Sequence, residues 1–422
     1  MAQVCVVGAG YVGLTTASCL AQIGHTVIGI DVDSAKIESL TKGIISIVED
    51  GLEDITQKML ESEQLTFQFG YSERIKSCEF IFLCVPTPQD EYGSADLTYI
   101  REAANSLSPY LASNSVIVNK STVPVGSTLV VEEIIRRNDV YVVSNPEFLR
   151  EGSAVHDFLH PDRIVVGSSN KQAAQRVAAL YQSLNAPVLI CDPASAETIK
   201  YAANAFLATK LSFANAIAAL CEHVGANIDD VMEGMGQDKR IGNQFLKPGP
   251  GWGGSCFPKD TRALVKIAES AGYDFQLLRG VIDFNEIQFD RIVNKVCNAV
   301  GDSLKGMNIA ILGLTFKAHT NDLRDSPALR IVEQLKKLGA TINAYDPTVN
   351  ESVHGINVYK TAIEACATVD AILIATEWPE FTSLRPAEVS EVVRSKHIID
   401  ARNILNAEMW EKAGFTYQGV GR

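Results

Sequence analysis

The sequence is poor in the features that mark secreted, membrane-bound and metal-dependent proteins. Nine cysteines occur in 422 residues, yet none falls in a CxxC pair, and Cys5, Cys19, Cys84, Cys221 and Cys297 sit inside apolar runs. That is the usage of reduced core thiols, so neither a disulfide framework nor a cysteine zinc site is expected. The seven histidines are read as lacking metal-ligand spacing, and no metal is expected. No apolar run reaches the roughly 18 residues that span a bilayer, and the start, Met1-Ala2-Gln3-Val4-Cys5, lacks a basic leader. A soluble cytoplasmic protein is expected. Positive charge is also short: the net charge of −13 argues against nucleic acid or an anionic membrane as partner, though local cations can still hold a small phosphate ligand. There is no low-complexity segment.

What is present is ordinary globular composition, 46% hydrophobic and 21% charged, on a chain long enough for two or three domains. Gln3 to Val7 is a short valine-rich run, followed by Gly8-Ala9-Gly10-Tyr11-Val12-Gly13 and a helical pattern through Ile23. A second apolar run, Thr26 to Ile30, ends in Asp31, eighteen residues past Gly13. Strand, GxGxxG turn, helix, strand and acid together describe a dinucleotide fold, in which glycines admit a pyrophosphate to a helix N-terminus and the acid accepts ribose hydroxyls. Asp31 would repel a 2′-phosphate, which selects NAD over NADP. Lys36 follows, either as a ribose or phosphate contact or as a solvated helix lysine.

Apolar runs at Phe80 to Val85, Ser115 to Val118 and Val140 to Val143 alternate with helical stretches, as in a parallel doubly wound sheet. Ligands of such sheets bind beyond the carboxyl ends of the strands. The loops there carry Thr87, Thr122, Glu147 and Glu151, each readable as a site residue or as a turn residue or cap. From Ala196 to His223 a run without Gly or Pro predicts a helix of ~28 residues, roughly 42 Å long, apolar nearly all round and hence buried. Lys200 and Asn204 lie one turn apart on it. A buried lysine there serves either a structural carboxylate or an oxyanion or substrate hydroxyl.

The run Gly249-Pro250-Gly251-Trp252-Gly253-Gly254-Ser255-Cys256-Phe257-Pro258-Lys259-Asp260 places a cysteine between a glycine loop and a helix expected over Pro258 to Ala271. Four glycines in six residues allow positive φ and close approach to a ligand. Near a helix N-terminus and Lys259, a thiol tends toward thiolate. Cys256 is an activated nucleophile or a small buried residue, and Asp260 is one turn away. From Met307 a second α/β unit begins, with strands at Asn308 to Leu314, Ala340 to Tyr345, Ala371 to Ala375 and His397 to Asp400 and a helix at Pro327 to Leu338. It has no GxGxxG, so any nucleotide it holds is gripped differently. Lys317 and Arg324 follow its first strand.

These motifs, in order GAGYVG, VPTP, STVPVGS, NPEFLREG, KYAANAFLATK, GWGGSCFPKD and GLTFKAHTNDLRDS, resemble those of the UDP-glucose/GDP-mannose dehydrogenases over essentially the full length. The run Lys239 to Trp252 is more similar to the UDP-glucose branch than to the GDP-mannose branch; a UDP-N-acetylmannosamine or GDP-mannose substrate is the alternative. The resemblance implies an α/β protein of two Rossmann-like doubly wound domains joined by a long central helix and a helical middle region, at 1–195, 196–300 and 301–422. It implies two NAD-dependent oxidations of a sugar C6 alcohol to a carboxylate, through a thiohemiacetal and thioester on Cys256. By motif position Lys200 and Asn204 resemble the oxyanion and water pair, Asp260 the carboxylate beside the thiol, Glu147 and Glu151 the acid/base glutamates, and Thr122 a water or nicotinamide ligand. The general base stays divided between Lys200 and Glu147.

The family pattern further places Gly8, Gly10, Tyr11, Val12, Gly13, Asp31, Lys36, Thr87, Thr122, Glu151, Lys259 and Arg324 against NAD. It places Glu147, Phe148, Leu149, Arg150, Glu151, Lys200, Asn204, Phe245, Leu246, Lys247, Pro248, Gly249, Gly253 and Lys317 against the UDP-sugar. Arg240 matches an arginine that reaches a neighbouring subunit's substrate, which implies a homodimer through the long helix.

Overall fold

The computed structural model describes residues 1–90, 93–301, 303–353 and 355–422. It divides into two compact units, Met1–Ala203 with Lys266–Gly272, and Asn204–Val265 with Tyr273–Arg422. The first is built on an eight-stranded sheet of β1 (Gln3–Val7), β2 (Thr26–Asp31), β3 (Leu65–Phe69), β4 (Phe80–Leu83), β5 (Val116–Asn119), β6 (Tyr141–Ser144), β7 (Ile164–Gly167) and β8 (Val188–Cys191). Their order is β3-β2-β1-β4-β5-β6-β7-β8. The first six are parallel in the dinucleotide-binding order, with β1 between β2 and β4, Val7 opposite Ile30 and Leu83. The chain reverses at β7, which pairs antiparallel with β6, while β8 runs parallel to β7. Both faces of the sheet are covered, which is why strands such as Phe80–Leu83 read as continuous apolar runs without alternation.

The second unit carries β9 (Asn308–Leu312), β10 (Thr341–Tyr345), β11 (Asn357–Val358), β12 (Ala371–Ile374), β13 (His397–Asp400) and β14 (Thr416–Gln418), all parallel. Their order, β11-β10-β9-β12-β13-β14, repeats that of the first six strands of the other sheet. The repeat extends to single residues. Gly8 and Gly313 both have φ +93°. Each donates its N–H at 2.8 Å to the carbonyl of the residue preceding the strand-end acid, Ile30 and Tyr345. The next N–H, of Ala9 or Leu314, reaches that acid itself, Asp31 at 2.8 Å and Asp346 at 2.7 Å.

The two acids then part company. Asp31 accepts from three protein donors, Ala9, Asp33 and Lys36. Asp346 is buried and accepts from six: the N–H groups of Leu314, Thr315 and Thr348, the hydroxyls of Thr315 and Thr348, and Trp378 Nε1. A carboxylate offers about four lone-pair sites, so Asp346 has none left for a ribose while Asp31 has. The second sheet keeps the dinucleotide frame and has closed its ribose position with protein.

The helix Pro193–Val224 leads from the first unit into the second. By length and composition it is apolar enough to cross a membrane. Buried Glu197, Lys200, Asn204, Ser212 and Asn215 on its length have protein hydrogen-bond or ion-pair partners, which marks it as a core helix.

Candidate active site

In the first unit, the turn after β1 is shaped by its glycines for distinct reasons. A Cβ on Gly8 would lie 2.7 Å from the Cys84 carbonyl oxygen, and one on Gly13 would lie 1.8 Å from that of Gly8, so these two let the helix pack on the strand. Around Gly10 a Cβ would meet nothing within 4 Å. Gly10 caps the helix Tyr11–Gln22 without a side-chain acceptor, leaving the first-turn N–H groups of Tyr11 and Val12 to an incoming anion. Asp31 waits at the end of β2. Burial works to raise its carboxyl, but the Ala9 and Asp33 amides and the Lys36 ammonium at 3.1 Å hold it below the usual range. These residues fit NAD.

Two further loops of this unit meet where Thr87 Oγ1 donates to the Thr122 carbonyl at 2.9 Å, both residues buried. After β6, Glu147 and Lys200 form a dry ion pair, Nζ to Oε1 2.8 Å, with side chains 5% and 4% exposed. Leu149 N–H donates to the other Glu147 oxygen at 2.6 Å. Burial works to raise the Glu147 carboxyl, yet Lys200, this amide and Lys120 hold it lowered. The Phe148 ring lies under both Lys200 and Arg163, with Nζ 5.5 Å and Cζ 3.8 Å from its centre. Arg150 is engaged by Asp157 at 2.6 Å, and Glu151 is half-buried.

Several residues here carried no signal in the sequence. Tyr11 donates to buried Glu49, whose carboxylate also accepts from the N–H groups of Gly152 at 2.6 Å and Ala154 at 2.7 Å. Glu197 takes the N–H of Gly126 at 2.7 Å and the N–H and hydroxyl of Thr128 at 3.0 and 2.8 Å, capping the helix Ser127–Ile135 from the long helix. Lys120 is buried beside Asn145. One sequence expectation needs amending: His156 and His160 do stand four apart, with rings 4.9 Å apart. No group of three metal-ligating side chains forms among the described residues.

In the second unit, Cys256 immediately precedes the helix Phe257–Ser270 and is partly exposed. Its carbonyl accepts the Asp260 N–H at 2.8 Å, and its sulfur lies 3.6 Å from Ser255 Oγ. Asp260 is fully buried and accepts from Asn204 Nδ2 at 2.6 Å on one oxygen and from Lys259 on the other. The Lys259 ammonium is therefore committed to a carboxylate one residue on. The glycines ahead of the thiol press on protein. A Cβ on Gly251 would meet the Phe289 ring at 2.6 Å, on Gly253 the Asp325 carbonyl oxygen at 2.0 Å, and on Gly254 the Phe316 ring at 2.7 Å.

The loop is further pinned by polar side chains. Asn215 accepts the Gly249 N–H and Gln288 donates to its carbonyl, both at 2.8 Å. Asn285 closes a two-way pair with the Trp252 backbone, and the Trp252 indole donates to Ser212 at 2.9 Å. Phe245, the first residue of the proposed sugar loop, sits at φ +61°, a left-handed conformation that a phenylalanine holds only under constraint. Leu246, Pro248 and Gly249 are buried and Lys247 is exposed. Lys317 lies 5.5 Å over the Phe316 ring, Arg324 pairs with Asp322, and Arg240 is an exposed side chain paired with Asp238.

Three family models match in chain order. They are the NAD binding domain over residues 2–185, the central domain over 194–287 and the UDP binding domain over 310–407 of the UDP-glucose/GDP-mannose dehydrogenases. The chain belongs to the UDP-glucose/GDP-mannose dehydrogenase family. A UDP-glucose 6-dehydrogenase of Bacillus subtilis (strain 168) is 46% identical over 100% of this chain and 94% of that protein. A UDP-glucose dehydrogenase structure from Pyrobaculum islandicum superposes with a TM-score of 0.92 at 35% identity, covering 100% of this chain and 98% of the other. A UDP-D-ManNAc dehydrogenase from Pyrococcus horikoshii gives 0.90 at 28% identity, covering 100% and 99%. As a member of the UDP-glucose/GDP-mannose dehydrogenase family the chain takes NAD, and the Gly8 to Asp31 turn lies inside the matched NAD binding domain.

Proposed function

We propose that the protein is a UDP-glucose 6-dehydrogenase, oxidising the sugar C6 alcohol twice to give UDP-glucuronate. The observation that carries this reading is Cys256 at the head of a helix with the buried Asn204–Asp260 pair one turn away, in a chain 46% identical to a UDP-glucose 6-dehydrogenase. A single alcohol oxidation gives a thiol nothing to do, whereas an aldehyde carried on to an acid can be held by one as a thiohemiacetal able to lose a second hydride. Domain roles follow the chain: NAD at 1–195, the thiol and long helix at 196–300, UDP at 301–422.

NAD, when bound, accepts the hydride released in each oxidation. The proton of the C6 hydroxyl goes to the Glu147–Lys200 pair. Lys200 Nζ stands 2.8 Å from Glu147, and an ammonium at that place is the form that stabilises an oxyanion. The Cys256 thiolate then adds to the aldehyde carbon, forming the C–S bond of a thiohemiacetal, whose oxygen Lys200 and the Asn204 amide hold. Loss of the second hydride leaves a thioester. Water, oriented by Asp260 and Glu151, adds to it, the C–S bond breaks and the thiolate returns. One alcohol, one water and two NAD yield one carboxylate, two NADH and three protons. Thr87, Thr122, Lys36, Lys259 and Arg324 are assigned to the cofactor, and Phe245 to Gly249, Gly253 and Lys317 to the nucleotide sugar.

We assign the active form as a homodimer, with Arg240 reaching the neighbouring subunit's substrate. Phe206, Phe213 and Leu220 recur every seven residues on the long helix and are 65%, 49% and 54% exposed, an apolar stripe suited to its own copy. The nine free thiols suit the cytoplasm.

The deciding experiment compares NADH formation with UDP-glucose, UDP-N-acetylmannosamine and GDP-mannose. Two NADH per UDP-glucuronate are expected with the first, and Cys256→Ala should lose about a thousandfold or more in overall turnover. Silence with UDP-glucose, or a Cys256→Ala variant that keeps its rate, overturns the assignment.

A further inference from the structure

Asn285 takes no part in the chemistry above, yet it grips the loop that presents the thiol. It lies on the helix Gln276–Val300 and is buried. Its Oδ1 accepts the Trp252 N–H at 2.8 Å and its Nδ2 donates to the Trp252 carbonyl at 3.0 Å. One amide thus takes both backbone groups of a loop residue, as a neighbouring strand would. The approach depends on Gly251, which stands at φ +117° and on which a Cβ would lie 3.0 Å from that same Oδ1. Gly254, two residues before the thiol, has its N–H 3.4 Å from the Asp325 carbonyl, a weaker hold than the pair at Trp252.

The grip is passed on by the indole. Trp252 is buried, its Nε1 donates to Ser212 at 2.9 Å, and Ser212 in turn donates to the Val281 carbonyl of the helix that carries Asn285. With backbone and indole both fixed, the ring meets Phe257 edge-on, centroids 6.4 Å apart at 84°. Phe257 is the residue after Cys256 and the first of its helix. On another side Phe257 meets Phe245, at 6.3 Å, whose left-handed backbone opens the proposed sugar loop. The chain of contacts from Asn285 therefore ends on the residue bonded to the thiol's own.

We propose that Asn285 is a positioning residue of the oxidation: by holding both backbone groups of Trp252 it sets that ring against Phe257 and so fixes where Cys256 stands at the head of its helix. The proposal rests on the reading that Cys256 is the nucleophile. Asn285 itself touches no reacting atom, and its effect is one of place, to which a covalent step is sensitive at about a hundredfold per ångström.

The test uses the full-length protein and Asn285→Ala. Hydrogen exchange, read by mass spectrometry without ligands, should quicken about tenfold through Cys256 to Asp260, where the Asp260 N–H is bonded to the Cys256 carbonyl. With UDP-glucose and NAD, kcat should fall about a hundredfold while KM changes less than about threefold. Ile292→Val, a core change on the same helix, should leave kcat within about twofold. Asn285→Asp adds a pH signature. Its protonated acid offers the acceptor and the donor that Trp252 needs and its carboxylate only the acceptor, so its kcat relative to wild type should rise as the pH falls. Quickened exchange confined to residues 249–254, or a kcat loss no larger than that of Ile292→Val, overturns the proposal. Should Asn285→Ala fail to fold, Asn285→Asp decides, and a ratio to wild type that stays flat with pH overturns it. Quickened exchange at Cys256 in a protein whose wild type does not turn over UDP-glucose sinks the substrate assignment and leaves the Asn285 inference standing.

Discussion

At the scale of single residues, the first unit holds its charges in a state that proton linkage makes measurable. Lys120 has its proton affinity lowered from 10.5 to about 8 by burial, so the unfolded chain binds that proton more tightly than the folded one. Stability is therefore reduced below about pH 8 and recovers as the pH rises toward the unfolded value, by about 3 kcal/mol in full. Glu147 has the opposite sign. Its folded-state affinity is lowered, so its contribution is present above the ordinary glutamate range and is lost as the pH falls through the folded value. Lys120→Met is expected to unfold at equal or higher denaturant concentration than the wild type at pH 7, and the gain should vanish near pH 10. Urea titrations at the two pH values measure this; a loss of stability at pH 7 would contradict it.

At the scale of elements, the glycine turn after β1 and the glycine loop before Cys256 solve different problems. Gly13 and Gly253 stand where a Cβ would lie within 2.0 Å of a backbone oxygen, so their absence of a side chain serves packing. Gly10 has extended backbone angles open to any residue, φ −78° and ψ −167°, and free space around it. Gly10→Ala should leave thermal unfolding within a few degrees of the wild type while NAD affinity falls about tenfold, because the added methyl occupies the approach of the pyrophosphate. Gly13→Ala should instead destabilise the protein by several kcal/mol before any ligand is added. Calorimetry of NAD binding beside thermal melts separates the two, and equal losses of affinity at equal stability would show that both glycines serve the ligand.

At the scale of the whole molecule, the chain contains one frame twice and uses it in two ways. Asp31→Ala should weaken NAD binding with little loss of stability, since two of its three donors, the Asp33 N–H and the Lys36 ammonium, belong to residues open to water. Asp346→Ala should lower stability by several kcal/mol, since buried donors lose their acceptor together. If both variants melt alike, the contrast drawn between the two sheets is wrong. The stripe of Phe206, Phe213 and Leu220 yields a separate expectation. Phe213→Glu should halve the mass measured in solution by light scattering, whereas an unchanged mass would place the dimer contact elsewhere.

The strands that could be read in advance were those buried on both faces, β1, β2, β4, β5, β6, β9, β10, β12 and β13, because burial on two sides forces an apolar run that survives in one dimension. The edge strands β3, β11 and β14 gave no such run, β11 being two residues long, while β8 carries one, Val188 to Cys191, whose first three residues are exposed. The reversal at β7 left no mark either, since strand direction is decided by where the chain returns. The helix after the thiol was expected from Pro258 and begins at Phe257, and the long helix runs three residues further at its start and one at its end.

By itself the sequence determined the dinucleotide turn, the acid at the end of β2, the thiol and its helix, and the family, because each is a local pattern of residue types at fixed spacing. Tertiary structure alone decided that Lys200 meets Glu147, that Asp260 meets Asn204 and Lys259, that Glu49 holds Tyr11, that Asp346 is consumed by its own fold, and that Lys120 adds a second buried cation. Those contacts join residues 25 to 56 positions apart or depend on which way a side chain turns, and the free energy of a buried charge is set by the neighbours it meets there.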